Sequence, residues 1–304
     1  LAVLAPWITP QNPYDLAQVS VMDGRVPPGA EAFDGYTMWL GSDGSGRDLY
    51  SAILYGLRIS LTVGLASGVI ALLIGMAIGL VAAYAGGRIE AIIMRIVDLQ
   101  LSFPASLVAL MMVAALGKGV DKIIFALVIA QWAYYARTVR ATAMVERGKE
   151  YVEAAQCLGI SRFRIVFRHI LPNSIGVIIV NATLLMASAT ILEAALSFLG
   201  FGIQAPNVSL GNLISEYQQS FSVRPWLFWW PGLFIIIIAL TINLIGDGLR
   251  DAFDPRQKRI PNTREMRRGM EARLEQTPMS GEDVSDAAEE FIEREEKRRG
   301  EEDR

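Results

Sequence analysis

The sequence predicts an all-α fold, a polytopic membrane helical bundle with six transmembrane helices in the intact protein. Hydrophobic residues fill 52% of the 304 positions, and many of them gather into runs without any charged residue. Because a spanning helix needs about 20 apolar residues, such runs are typical of membrane spans. The alternative, a very apolar buried core in a soluble protein, would rarely contain five of them. The uncharged runs cover residues 59–87, 99–117, 123–136, 170–192 and 225–246.

The five runs predict five complete spans, and the first residues predict a sixth that begins upstream. Residues 1–14 start with Leu-Ala-Val-Leu-Ala-Pro-Trp, which is typical of the end of a hydrophobic helix. A signal-peptide remnant is the alternative, although no small-residue cleavage site stands out. We therefore expect residues 15–58 to be an extracytoplasmic segment that approaches the next helix, and residues 59–256 to form the membrane core.

The distribution of Lys and Arg predicts which loops face the cytoplasm. Seven basic residues lie between Arg137 and Arg168, whereas residues 201–224 contain only one. Lys118 and Lys122 fall on the less basic side, but the balance of the other loops fixes the orientation. The segments expected in the cytoplasm are 86–102, 138–170 and the C-terminus, and those expected outside are 9–55, 117–122 and 200–225.

The last segment, residues 257–304, is expected to be a charged cytoplasmic tail. From Pro261 to Arg304 it holds nine basic and fourteen acidic residues, so the formal net charge of −3 belongs to the tail and the body is nearly neutral. A body without basic excess argues against nucleic acid as a partner. Pairs such as Glu290 and Arg294 favour a solvated helix, with disorder as the alternative.

Four glycines in the first complete span predict close helix packing. Gly64, Gly68, Gly75 and Gly79 form two small-xxx-small pairs that project from roughly one face. Without side chains there, two helix backbones approach closely, which is how membrane helices gain contact. We expect packing within the subunit, with a mobile or intersubunit contact as the alternative.

Glu193 is a carboxylate between two uncharged runs. Because a carboxylate that faces lipid is costly, Glu193 is expected to face protein or water. Two roles remain open for it. It lines a transport path, or it is a hydrogen-bonded structural group near the outer interface.

Residues 146–172 are unlike a simple connecting loop. Tyr151, Ala154, Ala155 and Leu158 recur at helical spacing, and Gly159 supplies a permissive helix stop. The pattern predicts a first helix that ends at this glycine.

A second, short helix is expected after the glycine. Ser161 is placed to cap it, and Pro172 then opens the next membrane span at a position that Pro tolerates. A helix with one apolar and one basic face suits a cytoplasmic partner, with a helix lying on the lipid headgroups as the alternative. The apolar stripe is Phe163, Val166, Phe167 and Ile170, and the basic residues are Arg162, Arg164 and Arg168.

Part of this segment resembles a known family motif. Glu153-Ala154-Ala155, followed by Gly159 and then by Leu171-Pro172, is similar to the EAA motif of the permease subunits of ABC importers. The family usually has Ile two residues before the Leu-Pro, where this chain has His169. The variant His-Ile-Leu-Pro-Asn resembles the dipeptide, oligopeptide and nickel branch. The resemblance implies a coupling helix that docks on an ATPase subunit, with contacts from Glu153, Ala154, Ala155, Gly159, Ser161, Arg162, Phe163 and Pro172.

Further stretches are similar to the C-type permease subunits of the same branch and follow the same order. Together they cover most of residues 40–256. One departure is Ser42, which replaces the usual Thr. The stretches lie at 40–48 (LGSDGSGRD), 55–61 (YGLRISL), 95–104 (RIVDLQLSFP), 193–202 (EAALSFLGFG) and 246–256 (GDGLRDAFDPR).

The resemblance implies a permease subunit in the inner membrane of a prokaryote, with a cytoplasmic C-terminus. Its implied partners are a homologous second permease subunit, two ABC ATPase subunits and an extracytoplasmic substrate-binding protein. ATP and magnesium would sit on the ATPase subunits, and no cofactor, metal or catalytic residue is expected in this chain. Di- or oligopeptides are the expected cargo, with nickel, glutathione or oligosaccharide as alternatives in the same branch.

Two other functional classes fit the sequence less well. A secondary transporter or channel often shows internal repeats and charged partners within its spans. The sequence shows no clear repeat, and Glu193 has no evident charged partner in the runs. An enzyme or ATPase is disfavoured because the chain has one Cys and one His, and no Gly-x-x-x-x-Gly-Lys-Ser/Thr loop.

Overall fold

The computed structural model describes residues 2–15, 17–204 and 207–253, together with Ile292. Residues Leu1–Arg250 form one compact unit. The second unit, Asp251–Arg304, lies almost wholly outside the described residues. The expected tail at 257–304 and its pair Glu290 and Arg294 therefore fall outside the part of the chain that the structure describes.

The described residues before Leu49 hold only short elements. A 3₁₀ turn at Ala2–Leu4 leads into α1 (Ala5–Ile8), and a second 3₁₀ turn lies at Val21–Asp23. Strands β1 (Ala30–Glu31) and β2 (Thr37–Met38) form a small antiparallel hairpin in which Ala30 lies opposite Met38.

The rest of the first unit is helical, as predicted. The helices are α2 (Leu49–Ala85), α3 (Gly87–Leu101), α4 (Ala105–Leu116), α5 (Val120–Arg147), α6 (Glu150–Cys157), α7 (Arg162–Ile165), α8 (Leu171–Phe198), α9 (Leu210–Tyr217) and α10 (Pro225–Phe253). A π turn at Val166–Ile170 joins α7 to α8, and a 3₁₀ turn at Gln218–Ser220 follows α9. Asp48 caps α2 by accepting a hydrogen bond of 2.8 Å from the backbone N–H of Ser51. Because this cap lies eleven positions before the start of the uncharged run at residue 59, α2 begins earlier than hydropathy alone indicates.

Membrane-spanning length and composition identify three helices among the described residues. These are Leu49–Ala85, the continuous run Arg162–Phe198, and Pro225–Leu249. The pair α3 and α4 makes a fourth if it counts as one span, bent by 85°. Helix α5 has 28 residues, but its uncharged run is confined to 123–136, which is shorter than a span needs. The fifth complete span therefore stays a prediction.

The expected continuous span at 99–117 is wrong, because the chain turns sharply inside it. Helix α3 ends at Leu101 and α4 begins at Ala105. Pro104 stands between them, and proline disfavours helical backbone at the residue before it. Hydropathy misses the bend because Ser102, Phe103 and Pro104 carry no charge.

Helix α2 lies at the centre of the bundle and packs on two neighbours through its glycines. A Cβ built on Gly75 would lie 2.5 Å from the carbonyl oxygen of Trp132 in α5. One built on Gly68 would lie 2.5 Å from Cγ of Met186 in α8. Gly64 meets α8 and Gly79 meets α5 in the same way. The glycines thus make contacts within the subunit, as expected from the sequence.

Three segments that the Lys and Arg pattern places outside meet at one end of the bundle. A single cleft there is lined by Tyr14 and Arg47 from the first segment, Lys118 from the second, and Gln204 and Glu216 from the third. Their meeting agrees with the predicted sidedness and brings Lys118 to the expected face.

Candidate functional site

The segment 146–172 folds as two short helices around a glycine turn, as predicted. Helix α6 ends at Cys157, and Gly159 has φ 73°, the left-handed conformation that glycine adopts without strain. The N–H of Gly159 donates to the carbonyl of Gln156 at 2.9 Å. The chain then enters α7 and continues into the membrane helix α8.

The buried face of α6 includes only one of the four residues whose spacing predicted the helix. Val152 and Ala155 are buried, whereas Tyr151, Ala154 and Leu158 are exposed, Leu158 by 79%. The helical spacing therefore predicts the helix but not which of its sides is buried. Packing decides the face here. Val152 and Ala155, three residues apart, meet a core cluster whose other members are Leu80, Ala83, Val139, Ala143, Ile165, Val166, Ile170 and Ile178.

The predicted stripe of the second helix splits into two halves. Val166 and Ile170 are buried in the same core cluster, with Ile165 beside them. Phe163 and Phe167 point outward instead, exposed by 74% and 50%. Their rings lie 4.4 Å apart between centroids. The outcome is an exposed aromatic pair on a helix whose opposite face is anchored in the core.

Ser161 occupies the predicted capping position but makes no capping bond. Its backbone is extended, with φ −60° and ψ 143°, as an N-cap residue requires. Its side chain accepts no hydrogen bond from the helix, so the predicted cap is wrong in this respect. Glu153, Ala154 and Arg162, like Ser161, lie exposed on the same segment.

Pro172 lies inside the continuous helical run Arg162–Phe198 and does not begin that run. It occupies the first turn of α8, directly after the π turn at Val166–Ile170. Proline has no N–H to donate and its ring would collide with the carbonyl four residues earlier. The wider turn avoids both problems, since the N–H of Leu171 donates to Val166 five residues back. Asn173 then donates from its side chain to the carbonyl of His169 at 2.7 Å.

A polar network that the sequence did not indicate fastens α6 to its neighbours. Glu146, at the end of α5, accepts hydrogen bonds from Lys149 and Tyr151, each of 2.5 Å. Asn173 of α8 donates to the hydroxyl of Tyr151 at 3.1 Å. The hydrogen bonds join residues up to 22 positions apart, so no local pattern reveals them.

Two arginines connect the same segment to the end of α2. The guanidinium of Arg147 lies 5.6 Å from the ring centroid of Tyr84, and that of Arg162 lies 6.0 Å from it. Arg147 also donates to the carbonyl of Ala83 at 2.8 Å. Cation–π contacts of this kind contribute about 0.5–1 kcal/mol at exposed sites. The segment is thus held by α2, α5 and α8 together.

Glu193 is fully buried near the C-terminal end of α8. Its Oε1 accepts a hydrogen bond of 2.7 Å from Ser197, while Oε2 finds no partner among the described residues. This environment fits the structural alternative for Glu193. A role in a translocation path stays a prediction. Among the described residues, no group of three or more His, Cys, Asp and Glu could hold a metal ion.

Comparison with known proteins relates this arrangement to transport. Residues 75–259 match the family model described as binding-protein-dependent transport system inner membrane component. The chain belongs to this family. The matched region contains the whole of the segment 146–172, the last turns of α2, and α3 to α10.

Relatives of this permease are similar over most of their length. The dipeptide transport system permease protein DppC of Alkalihalophilus pseudofirmus is 39% identical over 258 residues, covering 85% of this chain and 82% of the relative. The oligopeptide transport system permease protein OppC of Escherichia coli is 40% identical over 256 residues, covering 84% and 82%.

Solved structures support the permease fold. A structure titled as inward-facing conformations of the MetNI methionine ABC transporter superposes with a TM-score of 0.58 at 20% identity. It covers 67% of this chain and 97% of the other. At this identity the likeness shows the fold alone.

Proposed function

We propose that this permease is the transmembrane subunit of an ATP-driven importer of di- or oligopeptides, and that residues 146–172 receive the work of ATP hydrolysis. Its partners are a homologous second permease subunit, two ABC ATPase subunits that hold ATP and magnesium, and an extracytoplasmic substrate-binding protein. Peptide cargo is supported by the relatives, which are named as dipeptide and oligopeptide permeases. The C-terminus and the coupling segment (residues 146–172) face the cytoplasm.

The observation that carries the proposal is that the coupling segment is buried on one side and exposed on the other. One side, through Val152, Ala155 and Val166, is packed into the core of three long helices. The other side presents Phe163 and Phe167 to the surroundings. A partner that grips this aromatic pair therefore pushes directly on α2, α5 and α8, because packed interiors transmit displacement. The second half of the permease would supply the opposite wall of the path.

The test is whether ATPase subunits copurify with the chain and lose contact when the aromatic pair is changed. We expect Phe163→Ser to reduce copurification at least tenfold, because a buried aromatic anchor at an interface is commonly worth 2 kcal/mol or more. The matched control is Phe33→Ser. Phe33 is exposed by 76%, similar to Phe163, but lies beside the hairpin at the other end of the molecule.

Reconstituted uptake separates this function from its competitors. The complete complex should import di- or tripeptides only with ATP and the binding protein. Uptake by the isolated chain would instead support a secondary transporter or channel. Uptake of nickel, glutathione or oligosaccharide in place of peptide would keep the importer and change its cargo.

A further inference from the structure

The cleft at the outer end of the bundle has the size of a ligand site. Its volume is about 1090 Å³, slightly above the range of about 300–1,000 Å³ usual for small-molecule pockets. It lies in the first compact unit and is separate from the coupling segment. Its lining combines apolar walls with polar side chains, as ligand sites do. The apolar part is Pro13, Val19, Val21, Ile203 and Val208.

The walls of the cleft are held in place by buried polar contacts. Asp43 is fully buried and accepts hydrogen bonds from the backbone of Ser45 at 2.7 Å and of Arg47 at 2.9 Å. Ser197, in the floor, donates to Glu193 and accepts from the N–H of Ile203 at 3.3 Å. The site is thus largely formed before any ligand arrives.

Among the described residues, the cleft has one cation, Lys118, outside its ion pairs, and one negative charge in excess where Asp43 and Glu216 share Arg47. Arg47 pairs with buried Asp43 at 2.5 Å, so these two charges cancel. Glu216 lies 3.3 Å from the same guanidinium, but its side chain is 47% exposed. Lys118 is exposed and donates a hydrogen bond of 3.3 Å to the side-chain oxygen of Gln204. Such a surface complements a ligand that carries both signs of charge.

The neutral polar groups suit an amide backbone. Asn207 and Ser215 line the cleft and make no side-chain hydrogen bond with other described residues. Asn212 donates its side-chain N–H to the carbonyl of Ile203, which leaves its side-chain oxygen as an acceptor. These groups can donate to and accept from peptide carbonyl and N–H groups regardless of the ligand's side chains.

We propose that this cleft binds a short free peptide, with its terminal carboxylate at Lys118 and its terminal ammonium at Glu216. The inference rests on the proposed function, since it adds an external peptide site to a peptide permease. A ligand with a single charge would engage only one of Glu216 and Lys118. A loop of a partner protein has no free termini, so it would not use both charges.

Equilibrium binding to the intact complex tests the site. The permease with its second subunit and ATPases is placed in lipid nanodiscs without the binding protein, and the probes are trialanine and its N-acetylated and C-amidated forms. We expect each blocked terminus to weaken binding about tenfold, because charge-assisted hydrogen bonds are roughly twice as strong as neutral ones.

Variants assign each terminus to a residue. Lys118→Gln should weaken trialanine about tenfold and leave the amidated peptide unchanged. Glu216→Gln should weaken trialanine about tenfold and leave the acetylated peptide unchanged. Lys122→Gln is the matched control, because Lys122 lies four residues further on in the first turn of α5, pairs with Asp121 at 2.8 Å and does not line the cleft. Thermal unfolding of each variant checks that the cleft is still folded.

Several outcomes would overturn the inference. They are equal binding of free and blocked peptides, no binding at all, or a loss with Lys118→Gln that is the same for free and amidated peptides. If uptake with the binding protein restored is still peptide-specific, the proposed function stands and only the cleft is excluded. If no peptide is taken up in that assay, the proposed function fails as well.

Discussion

The hydroxyl of Tyr151 donates a hydrogen bond of 2.5 Å to Oε2 of Glu146. This contact joins the exposed helix α6 to the end of the long helix α5. Because Asn173 donates to the same hydroxyl, the first residues of α8 share the connection. A single phenol thus links three helices at the place where a partner would act.

Tyr151→Phe should therefore loosen α6 without unfolding the bundle. The change removes one bond to a charged group, worth about 1.5–3 kcal/mol when buried and less at this half-exposed position. A spin label on Cys157, the only cysteine and an exposed one, should become more mobile. Uptake per ATP hydrolysed should fall. Tyr134→Phe is the control. Equal label mobility in both variants would show that the Tyr151 hydroxyl does not restrain α6.

Acid should release the same contact. Burial raises the pKa of Glu146, but the hydrogen bonds from Lys149 and Tyr151 together outweigh it, so the pKa lies below its ordinary value of 4.5. A carboxylate with a lowered pKa stabilises the folded state above its ordinary pKa, and this contribution is lost as the pH falls through the lowered value. The label on Cys157 should stay ordered down to about pH 4.5 and gain mobility below it.

Glu146→Gln supplies the control for this titration. It should make α6 mobile at neutral pH and remove the acid transition. If the variant keeps the same transition as the native chain, another group is responsible.

Local sequence patterns predicted the turn of this segment better than its faces. Gly159 was identified correctly because a left-handed residue after a helix leaves a local signature. Val152 was missed, and Phe163 was expected to lie on the same face as Val166. Which side of a short helix is buried depends on the distant residues of α2, α5 and α8 that pack against it. An eight-residue helix carries too few apolar positions to fix that direction.

The same limit applies to hydropathy along the membrane core. It located the long helices, but the uncharged residues Ser102, Phe103 and Pro104 gave it no reason to divide the run at 99–117. The predicted start of α2 was too late, because the uncharged run begins only after Arg58. The helix itself begins directly after its cap at Asp48. The cleft that joins Lys118 to Arg47 depends on chain segments far apart in sequence.

Gly75→Ala should destabilise the bundle, because its added Cβ would meet backbone. The nearest atoms, the carbonyl oxygen of Trp132 and Cβ of Tyr135, would each lie 2.5 Å away. Overpacking of this kind costs about 1–3 kcal/mol, so the midpoint of thermal unfolding in detergent should fall. The control is Gly232→Ala in α10, which is the same substitution at a position where the added Cβ would meet nothing within 4 Å. Its midpoint should be unchanged or higher, since alanine is a better helix former. Equal midpoints for the two variants would contradict close packing of α2 on α5.

Pro172→Ala should stabilise the helix and impair coupling at the same time. The new N–H can donate to the carbonyl of Arg168, so the π turn at Val166–Ile170 can relax to α-helical geometry. Removing that wider turn rotates α7 about the helix axis and turns Phe163 and Phe167 away from their exposed position. Thermal stability should rise, while uptake per ATP hydrolysed falls. Pro231→Ala, within α10, relieves a helix interior in the same way without touching the coupling segment. If both variants are stabilised and both still couple ATP to uptake as the native chain does, the π turn has no part in presenting the aromatic pair.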